Sequence, residues 1–411
     1  MAANFLHGVE TIEIDRGARP IRTVKSAVVG LIGTAAMGPV NTPTIVLSEK
    51  DAAQFGSIAD AGSAGHTIAQ ALDAIFDHGA GTVIVVNVFD PAVHTVTAEA
   101  GKTPIDASHI IGTTDVAGHR TGLKALDDTY SMFGFNAKLL IAPTYATLAG
   151  VTAELIVMAG KLRAMALIDA PAGLTVQQAV EGRGVGGAIN FQTSSERAIL
   201  CYPHLKVYDP LLKAYRLEPM SPRLAGLMCA TDTERGYWWS PSNQDFKGVV
   251  GAERAVTARV NDPQSEANLL NENGIVTVFN SFGTGFRAWG NRSAAWPSVS
   301  HPKNFINVRR TADVLHESVE YAMLQFIDRP INDALIDDIN GSVNAFIRTL
   351  IGRGALIDGA CTYDAAKNPS TELASGHLTF DVTFMPPTPA ERISFESFID
   401  INLLSSLGGG Q

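Results

Sequence analysis

Cysteine is nearly absent from this 411-residue chain: Cys201, Cys229 and Cys361 stand far apart, with no C-x-x-C pair among them. They imply neither a disulfide framework nor a zinc ribbon, and buried free thiols in a reducing compartment are expected. Charge is sparse at 18%, and although 31 basic residues face 41 acidic ones, no block of five Lys or Arg exists to track a phosphate backbone. A nucleic-acid partner is not expected. Long apolar runs are missing too: residues 82–88 are among the longest, far short of the ~20 that span a bilayer. Residues 1–8 show no basic stretch leading into an apolar one. Neither membrane insertion nor export by a signal peptide is expected.

What remains is an ordinary globular composition, 46% hydrophobic with 38 Gly and 20 Pro, of a length that suits two or three domains. Near the start, Val9, Ile12 and Ile14 interleave with Glu10, Glu13 and Asp15, which predicts one strand with an acidic face and no hairpin partner nearby. A lone strand is not stable in water, so its backbone needs an edge from elsewhere. From residue 27 onward, apolar runs at 27–32, 45–47, 82–89, 139–142, 164–168, 198–202 and 275–280 alternate with amphipathic segments. That pattern predicts crossover connections and a mostly parallel sheet covered on both faces. Ile68, Leu72, Ile75 and Phe76 form a helical stripe ending at Gly79, and Ser48 followed by Asp51 predicts a capped short helix. Residues 91–118, rich in Thr, Ala and Gly without a helical period, read as an inserted surface hairpin that could be removed without emptying a core.

Composition then shifts. No Asp or Glu occurs in residues 273–312, while Arg287, Arg292, Lys303, Arg309 and Arg310 all do. Two helices are predicted beyond this basic band, at 311–328 and 331–350, separated by Arg329-Pro330, and alternation returns at 377–385 and 392–401. The expected fold class is therefore α/β. It has an outer, doubly covered, mostly parallel sheet domain at 22–280 and a smaller α+β domain at 281–390. Extended arms occupy 1–21 and 391–411.

Several patterns carry no chemistry. Gly182-Arg-Gly184-Val-Gly-Gly187 follows a helix rather than a strand, and Gly33 to Gly38 has P-loop spacing but Pro39 where the lysine belongs. Asp169 follows a strand, and His204 and several serines are available, yet no G-x-S-x-G elbow is present. The histidines lack metal-ligand spacing, and Asp337-Asp338 reads as a hydrated helix face. Tyr237-Trp238-Trp239 reads as a packing anchor. No catalytic, cofactor-binding or metal-binding residue is assigned. An α/β hydrolase-like enzyme without a recognisable active site is the alternative reading.

Motifs spread along nearly the whole chain resemble the contractile phage tail sheath family. They are His7-Gly-Val-Glu10, Val29-Gly-Leu-Ile-Gly-Thr34, Phe76-Asp-His-Gly79, Leu167-Ile-Asp-Ala-Pro171 and Leu224-Ala-Gly226. Thr231-Asp-Thr-Glu-Arg-Gly-Tyr-Trp-Trp239, Trp289-Gly-Asn-Arg292, Asn307-Val-Arg-Arg310 and Gly354-Ala-Leu356 continue the series. The length resembles that of the compact sheaths of simple myophages and R-type pyocins. Ser240-Pro-Ser-Asn243 and Trp289-Gly-Asn-Arg-Ser293 depart from the family's usual wording in detail.

The resemblance implies a structural, non-enzymatic virion protein without a cofactor, assembled in the bacterial cytoplasm as a helical homopolymer of stacked hexameric rings. Its implied partners are further copies of itself, a tail tube protein, and baseplate and tail terminator proteins. It further implies that Val9, Glu10, Ile12, Glu13, Ile14 and Asp15 at one end, and Ile393, Phe395 and Phe398 at the other, are strands donated to neighbours. On charge, Glu10, Glu13, Asp15, Glu391, Glu396 and Asp400 are expected to face Arg287, Arg292, Arg309 and Arg310 of adjacent subunits. Asn332, Asp333, Asp337, Asn340 and Asn344 on the second helix are the expected tube-facing side chains.

Overall fold

The computed structural model describes residues 20–58, 65–79, 81–95, 102–209, 213–280, 283 and 285–407. Its first eight strands are β1 (Val28–Gly33), β2 (Thr44–Val46), β3 (Thr82–Asn87), β4 (His94–Thr95), β5 (Thr103–Pro104), β6 (Leu139–Ile141), β7 (Met165–Asp169) and β8 (Ala198–Cys201). The remaining ones are β9 (Leu205–Asp209), β10 (Ala214–Glu218), β11 (Gln244–Asp245), β12 (Val249–Ala252), β13 (Ile275–Phe279), β14 (Arg287–Trp289), β15 (Asp358–Tyr363) and β16 (Phe380–Met385). One large mixed sheet runs β11-β14-β13-β8-β7-β6-β1-β3-β2, parallel through its centre and antiparallel at both edges. The sheet thus continues to Trp289, past the boundary expected at residue 280, because β13 turns back on itself through the antiparallel pair with β14.

The central strands read as unbroken apolar runs because alternate side chains enter two different buried clusters. From β1 and β3, Val28, Ile32, Ile84 and Val86 go to one, and Val29, Leu31, Val83 and Val85 to the other. The helices that cover the clusters are α1 (Glu49–Ala52), α2 (Ile68–Phe76), α3 (Ala107–Ile111), α4 (Thr129–Phe133), α5 (Ala149–Leu162), α6 (Val176–Glu181), α7 (Met220–Glu234) and α8 (Glu266–Glu272). Leu155 and Met158 of α5 pack into the first cluster, and Leu72 of α2 with Met228 of α7 into the second. Among the described residues no helix is long and apolar enough to cross a membrane.

Helices α2 and α7 approach closely at Gly226, where an added Cβ would lie 2.7 Å from the Ile75 carbonyl oxygen and 2.9 Å from its Cα. Backbone cannot yield as a flexible side chain does. Gly226→Ala is therefore expected to destabilise the fold by about 1–3 kcal/mol, read as a lower denaturant midpoint with an unchanged slope.

The segment at 91–118 is not a hairpin. Its two short strands, β4 and β5, pair in parallel, and α3 follows, with the Asp106 carboxylate capping the amides of Ser108 and His109. Ile110 is fully buried in the first cluster, so removing the insertion would open a hole there. The Asp-x-x-His box starts the helix that the Thr- and Gly-rich composition concealed.

The C-terminal part holds α9 (Ile306–Met323), α10 (Asp333–Gly352), α11 (Ser370–Ala374) and the two-stranded antiparallel sheet β15–β16. Leu315, Val343, Phe346, Ile347, Leu350, Leu356 and Cys361 form a third core, against which Trp238 also packs. Tyr237 is buried and Trp239 half exposed, so the aromatic triplet does anchor two parts of the chain together. All three cysteines are buried and free.

Candidate assembly interface

Several of the recognisable motifs make joints within the chain. In Phe76-Asp-His-Gly79, Asp77 accepts from Arg223 Nη1 at 2.7 Å. His78 Nδ1 lies 3.1 Å from the Ala74 carbonyl, while Nε2 accepts from the Lys247 amide at 3.2 Å. Only the neutral ring, with its proton on Nδ1, satisfies both partners. Burial, partly offset by the Ala74 contact, lowers the His78 pKa to about 4. The unfolded chain takes up this proton near pH 6.5 and the folded chain does not, so stability is intact above pH 6.5 and falls as pH drops toward 4. The expected loss is about 3 kcal/mol, and His78→Gln should flatten this stretch of the stability–pH profile.

Asp169, at the end of β7, is fully buried and accepts from Ser221 N at 2.8 Å and Ser221 Oγ at 2.5 Å, capping α7 from outside it. Burial pushes its carboxyl pKa up. His204 Nε2 meets the Ala170 carbonyl at 3.1 Å, and Ser221 is fully buried, so these groups form no nucleophilic relay. The glycine loop at 182–187 exists to place Arg183. Its guanidinium donates to the carbonyls of Asn273 (2.9 Å), Phe191 (3.1 Å), Ala294 (2.7 Å) and Trp296 (2.8 Å), and to that of Thr193. No pattern in the sequence signals such a convergence.

The arginines of the basic band do not form one open surface. Arg310 is buried and pairs with Asp232 of α7 at 2.8 and 2.5 Å. Arg309 pairs with Glu196 (3.1 Å) and Asp313 (2.8 Å), and Arg287 with Asp245 (2.9 Å). Arg292 holds Glu391 of the same chain. The Arg309 and Arg310 pairs, together with Arg197–Asp313 and Lys138–Glu317, make a charged seam between α9 and the sheet body. The acid-free stretch is satisfied by carboxylates from flanking sequence rather than left open to neighbours, and Arg310 has no exposed face to present.

On α10, Asn332 caps the helix by accepting from the Leu335 amide at 2.8 Å, and Asp333 and Asp337 are exposed. Asn340 is half-buried and accepts from Asn344 Nδ2. Asn344 itself turns toward β15, donating to the Cys361 carbonyl and accepting from its amide at 2.8 and 2.9 Å. It belongs to the interior of the C-terminal part and not to the outward face of α10.

The clearest unsatisfied feature is the C-terminal segment. Residues 386–400 have no secondary structure, and no backbone hydrogen bond involves the amides of residues 392–399 among the described residues. Ile393 is 70% exposed, Phe395 91%, Phe398 84% and Ile399 91%. Each of β15 and β16 pairs only with the other, which leaves one open edge apiece among the described residues. Val9, Glu10, Ile12, Glu13, Ile14 and Asp15 lie outside the described residues.

The α/β body thus carries an exposed apolar C-terminal segment and, among the described residues, a two-stranded sheet with open edges. Residues 118–294 match the family model of the phage tail sheath protein central domain, and residues 298–400 that of the phage tail sheath C-terminal domain. The tail sheath protein of Burkholderia phage BcepMu is 48% identical over the full length of both chains, and that of Escherichia phage P2 is 31% identical over 98% of each. The chain also superposes on the sheath of an extracellular contractile injection system, PVC, in the contracted state, with a TM-score of 0.68 at 17% identity. That match covers 98% of this chain and all of the other. The chain belongs to the contractile tail sheath family.

Proposed function

We propose that this sheath protein polymerises helically around a tail tube by exchanging its terminal strands with neighbouring copies. The polymer contracts on a baseplate signal and pushes the tube through the target envelope. The observation that supports the strand exchange is the C-terminal segment, whose large apolar side chains are exposed and whose amides make no backbone bond among the described residues. Six backbone bonds at about 0.5–1.5 kcal/mol net each give roughly 3–9 kcal/mol per donated strand before ordering entropy. Burying Phe395 and Phe398 adds about 1.5–3 kcal/mol apiece. One such contact is modest, but a lattice repeats it at every subunit.

The open edges of β15 and β16 are suitable acceptors by strand addition. The work of contraction comes from a more favourable packing of the same bodies, with the exchanged strands persisting as flexible joints. The sheet body lies outermost. The C-terminal part lines the bore, with Asn332, Asp333, Asp337 and Asn340 toward the tube. Tube, baseplate and terminator proteins are the partners, and assembly takes place in the host cytoplasm before the sheath becomes part of the virion tail. Negative-stain microscopy and gel filtration of the purified chain test this. Tubes or strand-linked oligomers are expected, whereas a compact monomer at every concentration would contradict it.

A further inference from the structure

Arg292 is held more elaborately than a surface ion pair requires. Its guanidinium lies 3.9 Å from the centre of the Trp296 ring and 4.4 Å from that of Phe305. Nη1 donates to Asn304 Oδ1 at 3.0 Å. Nε reaches Glu391 Oε1 at 2.8 Å and Oε2 at 3.1 Å, while Nη2 also donates to Oε2. The arginine side chain is 16% exposed and the glutamate 39%. Four residues before Glu391, the Pro387 carbonyl accepts from Asn307 Nδ2 at 3.0 Å, and the same Nδ2 donates to the Trp238 carbonyl at 2.9 Å. Between and around these two fastenings, Pro386, Pro387 and Pro389 fix φ at three of four successive positions. Beyond Glu391 the exposed segment begins.

We propose that Arg292 and Glu391 form a clasp that fixes the point and direction at which the C-terminal arm leaves its own subunit, so that the arm is presented to a neighbour rather than sweeping freely. This rests on the reading that the arm is donated. A stiff proline base fastened at two points confines the free end to a fraction of the volume that a flexible tether would explore, which raises its effective concentration at an acceptor edge. The stacked, bidentate geometry is what distinguishes the pair from an exposed one: the arginine is already immobilised by its rings and by Asn304, so closing on Glu391 orders only the glutamate. Arg292 is thus a positioning residue, acting through the arm.

The test uses the full chain with spin labels at Ala153→Cys on α5 and Ser397→Cys on the arm, both exposed positions in a protein whose native thiols are buried. Glu391→Ala lies outside every core and leaves the body folded. It is expected to broaden the label-to-label distance distribution of the unassembled chain about twofold. It should also raise the concentration at which tubes form by about three- to tenfold. Glu391→Gln, which keeps the shape but not the charge, should fall between the two. A distribution of unchanged width overturns the clasp, as does a broadened one with unchanged assembly. A chain truncated after Glu391 that still forms normal tubes would instead refute the donated-arm reading, and with it the clasp's role, whatever the labels show.

Discussion

Deleting residues 392–411 should leave a folded, soluble subunit that forms no tubes at any concentration at which the full chain polymerises. The folded body should be indifferent to the loss: Ile393, Phe395, Phe398 and Ile399 are 70% or more exposed, and the amides of residues 392–399 make no backbone bond among the described residues. A melt within about 0.5 kcal/mol of the full chain is therefore expected. Assembly, in contrast, should lose the roughly 3–9 kcal/mol of strand pairing per subunit together with the burial of two phenylalanines, which is many orders of magnitude in an association constant. Sedimentation checks oligomeric state, and far-UV circular dichroism checks that the body is intact. A fall in stability as large as the fall in assembly would mean that the segment serves its own subunit.

The second large effect is expected within the subunit. Asp232→Ala strands the buried Arg310 guanidinium, whose remaining hydrogen bond among the described residues is to the Ser26 carbonyl at 3.4 Å. Leaving one member of a buried pair uncompensated costs about 3–5 kcal/mol, a sizeable share of a domain's stability. The double change Asp232→Leu with Arg310→Met removes both charges and should restore most of that loss, since a buried pair is replaceable by well-packed apolar side chains. Chemical denaturation of the three proteins separates these outcomes. Asp232 lies in the last turn of α7 and Arg310 on α9, so the pair ties the sheet body to the C-terminal part, and its loss should also loosen the charged seam that includes Arg197–Asp313.

The parallel core of the sheet was legible in the sequence for a physical reason. Strands such as β1 and β7 are buried on both faces, and only unbroken apolar runs satisfy that condition. Sheet β10-β9-β12 was not, because β9 buries only alternate residues and β10 is largely exposed. β15, with the sequence DGACTY, carries little apolar signal at all and is a strand because β16 and α10 make it one. Helix α9 misleads in a different way. Arg310, Asp313 and Glu317 look like a solvated face, but they are buried because their partners, Asp232, Arg197 and Lys138, come from distant segments. Charge pattern along one helix cannot reveal that, and the same blindness made Arg309 and Arg310 look available to neighbours. The apolar arm at 392–401 was readable as alternation, but alternation alone does not say whose edge it completes.

The most direct measurement is amide hydrogen exchange at residues 392–399, compared between the unassembled subunit and the assembled tube. Free, these amides should exchange at rates close to those of an unstructured peptide, because no backbone bond holds them among the described residues. In the tube they should slow by about a hundredfold or more, as backbone in a sheet does. Equal and rapid exchange in both states would contradict strand donation by this arm.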